Sequence, residues 1–387
     1  MGYSATEEKN QQSNASTKKA VYLPGLNGLR AIAALAVVIS HITLGLAGFG
    51  LDSTLFGTDR EGHGSGLALA GHGVTIFFTL SGFLITFLLL KEKEVHPIKI
   101  KDFYIRRILR IWPLYYLYFL LSMATILIYG LTYTSASIPF YIFLAANVPT
   151  IIDQALPLLT HYWSLGVEEQ FYLFFPQLAR MNNKKLLKIT LVLIGALISL
   201  KFGFWLLYKK TGQEIPYVAM GITRFHTMLI GVAGAILYYY KNQKFLQITT
   251  NIITQGIAWG VVLLIGLNKF HIASFINGEI VSAFTVILIM GQITKRNNII
   301  NLENKICDFI GKISYGIYVI HPILIFYFSK LLGNLKDRFV NYLFVYLLIT
   351  AATILMAYLS YEYYEKWFLK LKARFATVKS ASTKESL

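Results

Sequence analysis

The chain has 387 residues, of which only 14% are charged, against roughly 25% in a typical soluble protein. Its 36 Lys and Arg residues outnumber its 19 Asp and Glu residues, which gives a formal net charge of +17. Apolar runs such as 31–39 and 186–200 exclude an ordinary soluble domain, and the single Cys307 excludes an intrachain disulfide or a multi-cysteine metal site.

The first 20 residues are polar and lack the apolar core of a cleavable signal peptide, so we predict a disordered cytoplasmic tail over 1–20. A membrane-spanning helix needs about 20 mainly apolar residues. Ten segments meet this requirement: 24–48, 68–90, 111–130, 163–180, 186–208, 217–240, 249–268, 272–292, 306–330 and 338–362. The sequence therefore predicts an all-α, polytopic membrane domain over 21–370 and a basic cytoplasmic tail over 371–387. The apolar segment 137–150 is predicted to be re-entrant or interfacial.

Positive charges alternate between the predicted loops. Seven Lys and Arg residues lie between 91 and 110, whereas 131–160 contains none. Basic clusters at 180–188, 241–244, 295–296 and 366–374 continue the alternation, although five basic residues fall on the other side: Lys209, Lys210, Lys330, Lys336 and Arg338. The positive-inside rule then places both termini in the cytoplasm. We expect a multi-pass protein of the cell inner (cytoplasmic) membrane that does not bind nucleic acid.

The first predicted helix carries Arg30 and His41, in the sequence NGLRAIAALAVVISH. Their spacing places both side chains within roughly 20° of one helix face and about 16 Å apart along the axis. Ionisable residues within the bilayer are costly and indicate a functional site. One helix face could hold a phosphorylated group at Arg30 and proton chemistry at His41. The alternative is that Arg30 reaches the lipid headgroups and His41 makes a packing hydrogen bond.

Three further segments carry ionisable residues in or near the membrane. Glu168 and Glu169 lie in HYWSLGVEEQFYLFFP, where neighbouring helical positions diverge by about 100°, so at most one faces a given site. His321, in ISYGIYVIHPIL, is predicted near the middle of the bilayer, as a site residue or as a hydrogen-bonded core residue. Arg107 and Arg110 are neighbours on a helix surface, where they form a positive-inside cluster or a phosphate clamp.

Taken together, these motifs resemble acyltransferase family 3. Its members are integral-membrane enzymes that O-acylate, most often O-acetylate, bacterial surface polysaccharides, lipopolysaccharide and some small molecules. The resemblance runs from about residue 22 to 366. It rests on Arg30 and His41 at their spacing, GVTIFFTLSGFLIT at 73–86, the pair Arg107 and Arg110, WSLGVEEQFYL at 163–173 and SYGIYVIHP at 314–322.

The resemblance implies a cytoplasmic acyl-CoA donor, acetyl-CoA by default, and no permanently bound cofactor. It implies an acceptor hydroxyl at the outer side, on a glycan or its lipid-linked precursor. His41 matches the catalytic histidine, and Arg30, Arg107 and Arg110 match arginines associated with the CoA phosphates. Ser81 belongs to a small-residue pair that would let helix backbones approach and leave room for the acyl chain. The alternative for Ser81 is an acyl-carrying nucleophile.

We therefore expect acyl transfer in which His41 is the general base or itself carries the acyl group. Either route needs a second group that orients the imidazole, with Glu168 as the first candidate and His321 as the alternative. Two positions depart from the family pattern: Thr75 stands where an acidic or amide residue is common, and His226 stands where an acidic residue is expected. Both departures concern acceptor recognition.

A proton-coupled transporter or permease of a small solute is the alternative function, because buried Arg, Glu and His residues suit such transport. The sequence shows no inverted repeat of the kind found in many transporters. Many members of the resembled family append a soluble SGNH-type hydrolase domain. Since this chain ends soon after its last predicted helix, we expect the membrane domain to act alone or to hand over to another protein.

Overall fold

The computed structural model describes residues 21–58, 66–376, 378 and 380–381, so the predicted tail 1–20 lies outside the described part. The chain is built from helices, which we number in chain order. The α-helices are α1 Leu26–Gly45, α2 Leu69–Lys93, α3 Ile100–Ile128, α4 Ile138–Ile142, α5 Asn147–Ile151, α6 Trp163–Ala179, α7 Asn183–Thr211, α8 Ile215–Thr223, α9 Phe225–Tyr239, α10 Gln243–Thr249, α11 Ile252–Gly266, α12 Asn277–Thr294, α13 Lys305–Lys312, α14 Ser314–Leu331, α15 Phe339–Ser360 and α16 Lys366–Ala373. Two short strands, β1 Val21–Tyr22 and β2 Ser380–Ala381, pair in parallel.

Seven helical spans of the described chain are long and apolar enough to cross a membrane, with α8 and α9 forming one of them. Two bent pairs, α10 with α11 (54°) and α13 with α14 (65°), raise the number to nine if each is one span. The predicted segment 163–180 is α6, whose 17 residues cover about 26 Å, less than the roughly 30 Å of a hydrocarbon core. The all-helical, multi-pass membrane architecture is confirmed, and the predicted number of ten depends on α6.

Two boundaries differ from the sequence prediction. Helix α3 begins at Ile100, 11 residues earlier than predicted, because Asp102 in its first turn suits a helix N-terminus and the basic residues that follow are good helix formers. The arginines assigned to a loop, Arg106, Arg107 and Arg110, therefore lie on a helix. The segment 137–150 folds into the short helices α4 and α5, and its Tyr141 is fully buried.

Helix α2 lies at the centre of the bundle, where close backbone contacts fix its position. A Cβ atom on Gly82 would overlap the Met228 carbonyl group of α9, and one on Gly231 would overlap the Thr79 carbonyl group of α2. Against α1, the Ser40 hydroxyl donates to the Leu67 carbonyl oxygen just before α2 (2.5 Å). Helices α1 and α2 therefore run antiparallel in a defined register.

A buried ion cluster ties α7 to this bundle. Lys201 Nζ lies 2.9 and 3.2 Å from the two carboxylate oxygens of Glu279 on α12. His226 Nε2, on α9, lies 2.9 Å from the same carboxylate. Each of the three side chains is less than 8% exposed. Paired charges are the form in which buried ionisable groups are tolerated, so the cluster holds three helices together.

Candidate active site

A cavity of about 380 Å³ lies between α1, α2, α3, α6, α13, α14 and α16, together with the segment Tyr361–Glu365 that precedes α16. This volume is in the range of small-molecule sites. Its wall carries five cationic side chains and two carboxylates: Arg30, Arg107, Arg110, Lys312, Lys372, Glu168 and Glu365. The excess of positive charge makes the cavity suited to a ligand that carries several negative charges.

Three arginines predicted from the sequence meet in this cavity. Arg30 comes from α1, and Arg107 and Arg110 come from one face of α3, since residues three apart are neighbours on a helix. The buried Arg107 Nε has no hydrogen-bond partner among the described residues. The adjacent Arg106 turns away and donates to the Glu92 carboxylate (2.8 Å) and to the Phe375 carbonyl oxygen (2.8 Å). The pair Arg107 and Arg110 therefore faces a ligand space, and Arg106 does not.

Ser81 and Glu168 also line the cavity and contact each other. The Ser81 hydroxyl donates to Glu168 Oε1, and the Tyr172 hydroxyl donates to the same oxygen (2.6 Å). The guanidinium group of Arg107 lies 5.4 Å from the centre of the Tyr172 ring. Glu168 is thus part of the arginine end of the site, whereas Glu169 turns to the indole of Trp112 (3.2 Å).

His41 lies outside this cavity and contacts His321. Its Nδ1 is 2.6 Å from His321 Nε2, and the two rings stack with centroids 4.9 Å apart. On its other side, His321 Nδ1 lies 3.1 Å from the Ile317 carbonyl oxygen. Because a carbonyl only accepts, His321 Nδ1 carries the proton and Nε2 accepts from His41 Nδ1. This tautomer assignment leaves the lone pair of His41 Nε2 free to take a proton.

Glu168 does not contact His41, which corrects the expectation that it is the first candidate to orient the imidazole. Ser40, next to His41, is hydrogen-bonded to the Leu67 carbonyl oxygen. Ser81 lies 14 residues after Leu67 in the chain. At 1.5 Å per residue, Ser81 and its partner Glu168 lie roughly 20 Å from the level of His41. The structure gives the partner position to His321, the alternative, which is fully buried.

Tyr318 separates the cavity from the histidines. It lines the cavity, and its hydroxyl lies 2.5 Å from Ser164 Oγ and donates to the His161 carbonyl oxygen (2.8 Å). His161 is buried, and its ring lies 5.3 Å from that of His321. The cavity therefore ends one side chain short of a group of three histidines.

The two positions that depart from the family pattern find partners nearby. Arg224 donates from Nη1 to the Thr75 hydroxyl (3.2 Å) and to the Gly71 carbonyl oxygen (3.0 Å), and it lies 5.1 Å over the Trp163 ring. Its φ of +39°, rare for a residue with a side chain, marks the break between α8 and α9. At the second position, His226 Nε2 lies 2.9 Å from the Glu279 carboxylate of α12.

Sequence reasoning missed several residues of the site. His161 lies two residues before Trp163, in the motif that was singled out for Glu168 and Glu169. A histidine in an apolar segment was the one signal that could have identified it as a candidate. Lys372 follows the matched motifs and falls in the region predicted to be a tail, but it lines the cavity. Among the described residues, no group of three or more His, Cys, Asp or Glu side chains could hold a metal ion.

Comparison with known proteins gives one family. Residues 23–362 match the profile of the acyltransferase domain family. The chain is 30% identical over 382 residues to a protein of Staphylococcus aureus (strain COL) whose name gives O-acetyltransferase as its assumed activity, covering 91% of this chain and 58% of that protein. It is 27% identical over 377 residues to the O-acetyltransferase OatA of S. aureus (strain NCTC 8325 / PS 47), covering 89% and 57%.

The chain therefore spans less than three fifths of the length of these relatives. No solved structure matches it.

Proposed function

The chain belongs to the acyltransferase family whose domain profile it matches, and from this premise we propose that it is a membrane O-acetyltransferase. The donor is acetyl-CoA, and the acceptor is a hydroxyl of a cell-surface glycan or of its lipid-linked precursor. The arrangement that carries the proposal is a cationic cavity that ends one side chain short of the His41–His321 pair. We place the protein in the bacterial cytoplasmic membrane, with the arginine end of the cavity facing the cytoplasm.

The cavity supports a donor with a phosphorylated end and a long neutral arm. Arg30, Arg107 and Arg110 meet at one end, where guanidinium groups bind phosphate through charge-assisted hydrogen bonds. Apolar and aromatic side chains also line the cavity, among them Phe77, whose ring lies 6.0 Å from that of Tyr318. A wall with both kinds of side chain fits CoA, whose charges are all on the nucleotide and whose pantetheine arm is neutral.

The histidine pair supports general-base chemistry. His41 Nε2 takes the proton of the acceptor hydroxyl while that oxygen bonds to the acetyl carbon. The carbon–sulfur bond breaks, and the CoA thiolate leaves with the proton that His41 returns. His321 holds Nδ1 of His41 throughout, so the proton is always exchanged at Nε2.

Access to His41 is needed from both sides. His41 is only partly buried and does not line the cavity, which is compatible with an acceptor that reaches it by a separate route. The acetyl end of the donor must pass Tyr318, whose hydroxyl is held by Ser164 and His161. Movement of one aromatic side chain thus connects the two halves of the site.

Mass spectrometry of surface glycans tests the proposal. A strain lacking the gene would be complemented with the wild type, with His41→Ala, or with His271→Ala, a control that alters an exposed histidine. We expect an acetyl-sized loss on deletion that the wild type and the control restore and His41→Ala does not, at equal membrane levels. Restoration by His41→Ala would remove this residue from the mechanism, and an unchanged glycan profile on deletion would contradict the glycan acceptor.

The protein incubated with acetyl-CoA alone tests the base role. Without an acceptor, a general base forms no covalent product, so the mass of the acid-quenched protein should stay unchanged. An acetyl-sized increase on the His41 peptide would show that His41 carries the acetyl group and is not only a general base.

A further inference from the structure

The end of the last helix forms a wall of the cationic cavity. A π-helical segment, Tyr361–Glu365, joins α15 to α16. One face of this segment and of α16 lines the cavity. Its residues follow one another at spacings of four, four and three, which is one side of a helix: Tyr361, Glu365, Leu369 and Lys372. Between them, Lys370 points away and is exposed. The matched family profile ends at residue 362, so most of this wall lies outside it.

Specific contacts hold this wall in place. The Arg106 guanidinium group donates to the carbonyl oxygen of Phe375, just after α16, and also pairs with Glu92 of α2. Further along the chain, β2 pairs with β1. Val21 of β1 and Leu23, directly after β1, line the cavity. Tyr22 anchors β1 by donating to Glu303 (2.9 Å), and partial burial together with that carboxylate raises the pKa of Tyr22 and keeps it protonated. The described segments nearest to the two termini therefore lie together at this part of the cavity.

Cationic side chains outnumber carboxylates at this end of the cavity, where Glu168 and Glu365 are the acidic residues of the lining. Lys372 lies within electrostatic reach of Arg30, Arg106, Arg107 and Arg110. In the part of the chain that the structure describes, no acidic side chain forms an ion pair with Lys372, and the buried Arg107 Nε is unsatisfied. Cations that are brought together away from bulk water repel one another unless an anion lies between them. Their arrangement points to a ligand with more than one negative group.

We propose that Lys372 binds a phosphate group of the donor nucleotide, as a fourth cation beside Arg30, Arg107 and Arg110, and that α16 thereby completes the donor site. The inference rests on the proposed acyl-CoA donor. An anionic lipid headgroup offers the same phosphate chemistry, so the experiment must separate the two sources. Lys312, which also lines the cavity, lies 4.9 Å over the Tyr361 ring and is therefore already engaged with the wall.

Direct binding measurements with the purified full chain test the inference. The chain would be placed in nanodiscs of neutral phosphatidylcholine and titrated with CoA and with pantetheine, which lacks the phosphates. Lys372→Ala should raise the Kd for CoA about tenfold or more, the loss expected for one charged hydrogen bond. Its Kd for pantetheine should equal that of the wild type.

Two variants serve as controls. Lys370→Ala, two residues away on the exposed face, should bind CoA like the wild type, and Lys372→Arg should recover most of the affinity lost in Lys372→Ala. Equal CoA affinity of Lys372→Ala and Lys370→Ala would overturn the role of Lys372 and leave the proposed function standing. A wild-type chain that binds no CoA would overturn both.

The lipid source predicts a different result. If Lys372 holds a headgroup, Lys372→Ala would lose phosphatidylglycerol from mixed nanodiscs and keep its CoA affinity in neutral ones. That pair of results would also overturn the proposal.

Discussion

The two candidates for the group that orients His41, Glu168 as the first and His321 as the alternative, lie in separate parts of the structure. His321 contacts His41 Nδ1 and is in turn held by the Ile317 carbonyl group. Glu168 accepts from Ser81 and Tyr172 at the arginine end of the cavity. His321 therefore lies beside the imidazole of His41, and Glu168 lies among the arginines of the cavity, so we predict different kinetic effects for their substitution.

Substitution of the two residues should separate kcat from KM. His321→Ala removes the group that orients His41, so we expect kcat to fall 10²-fold or more with little change in the KM for acetyl-CoA. Glu168→Gln keeps the shape of the side chain but removes a charge beside the arginines, so its main effect should be on that KM. Steady-state kinetics on the purified chain measure both values. A large loss of kcat in Glu168→Gln with an unaffected His321→Ala would return Glu168 to the role of orienting partner.

Helical spacing could predict some of these contacts and not others. Arg30 and His41 share one helix, so their separation follows from residue geometry, and in the structure Arg30 lines the cavity whereas His41 lies outside it, beside His321. Glu168 and His41 lie on different helices, whose relative depth depends on where each helix enters the membrane. The spacing of residues gives no information on that depth. In the structure, Ser40 and Leu67 relate α1 to α2, and Ser81 and Glu168 relate α2 to α6.

At the scale of helices, the packing of α2 against α9 depends on glycine. Gly82 and Gly231 each face a carbonyl group of the other helix with no room for a Cβ atom. Small residues at such crossings allow backbones to approach, which is the main source of helix association in lipid. Since α2 carries Ser81 and lines the cavity, this crossing also positions one wall of the cavity.

Replacement of Gly231 by alanine should therefore destabilise the bundle. The added methyl group would have to push α2 and α9 apart, at a cost of about 1–3 kcal/mol or more. Gly203→Ala, on α7, is a matched control, because nothing lies within 4 Å of its Cβ position and alanine is the better helix former. Thermal unfolding in detergent should give a lower Tm for Gly231→Ala alone. Equal Tm values for the two variants would show that the crossing tolerates a side chain.

Hydropathy predicted the bounds of several helices well, including those of the short α6, which the sequence placed at 163–180 and the structure places at Trp163–Ala179. Helices α1, α2, α7 and α15 are continuous apolar runs, and their bounds agree with the predicted segments to within a few residues. Helix α6 is shorter than the bilayer core, because the residues before it form the short helices α4 and α5 instead of extending it. A hydropathy pattern cannot show whether such an element crosses.

Over the whole molecule, α6 decides on which side the second half of the chain lies. Seven or nine crossings put the two termini on opposite sides of the membrane, whereas α6 together with the nine makes ten and puts them on the same side. The charge alternation in the sequence requires the same side. The two lines of evidence agree only if α6 crosses.

Contacts at both ends of α6 support a crossing. Its first turn follows His161, which lies beside His321 and so near the level of His41. Its last residue, Ala179, lies at the end of α2, where Lys93 Nζ donates to the Ala179 carbonyl oxygen (3.1 Å) and to that of Met181 (2.7 Å). Helix α6 thus runs parallel to α2 and ends at the same face, and the segment before it covers the remaining depth.

Cysteine labelling across α6 tests this topology. In a Cys307→Ser background, Ser135→Cys lies before α6 and Lys185→Cys lies after it, both at exposed positions. A membrane-impermeant maleimide should label Ser135→Cys in intact cells and Lys185→Cys only after lysis. Gln243→Cys, separated from Lys185 by two further crossings, is the control and should behave like Lys185→Cys. If the reagent reaches positions 135 and 185 equally in intact cells, α6 does not cross the membrane. The charge pattern would then no longer tell which side of the membrane the arginine cavity and the amino terminus face.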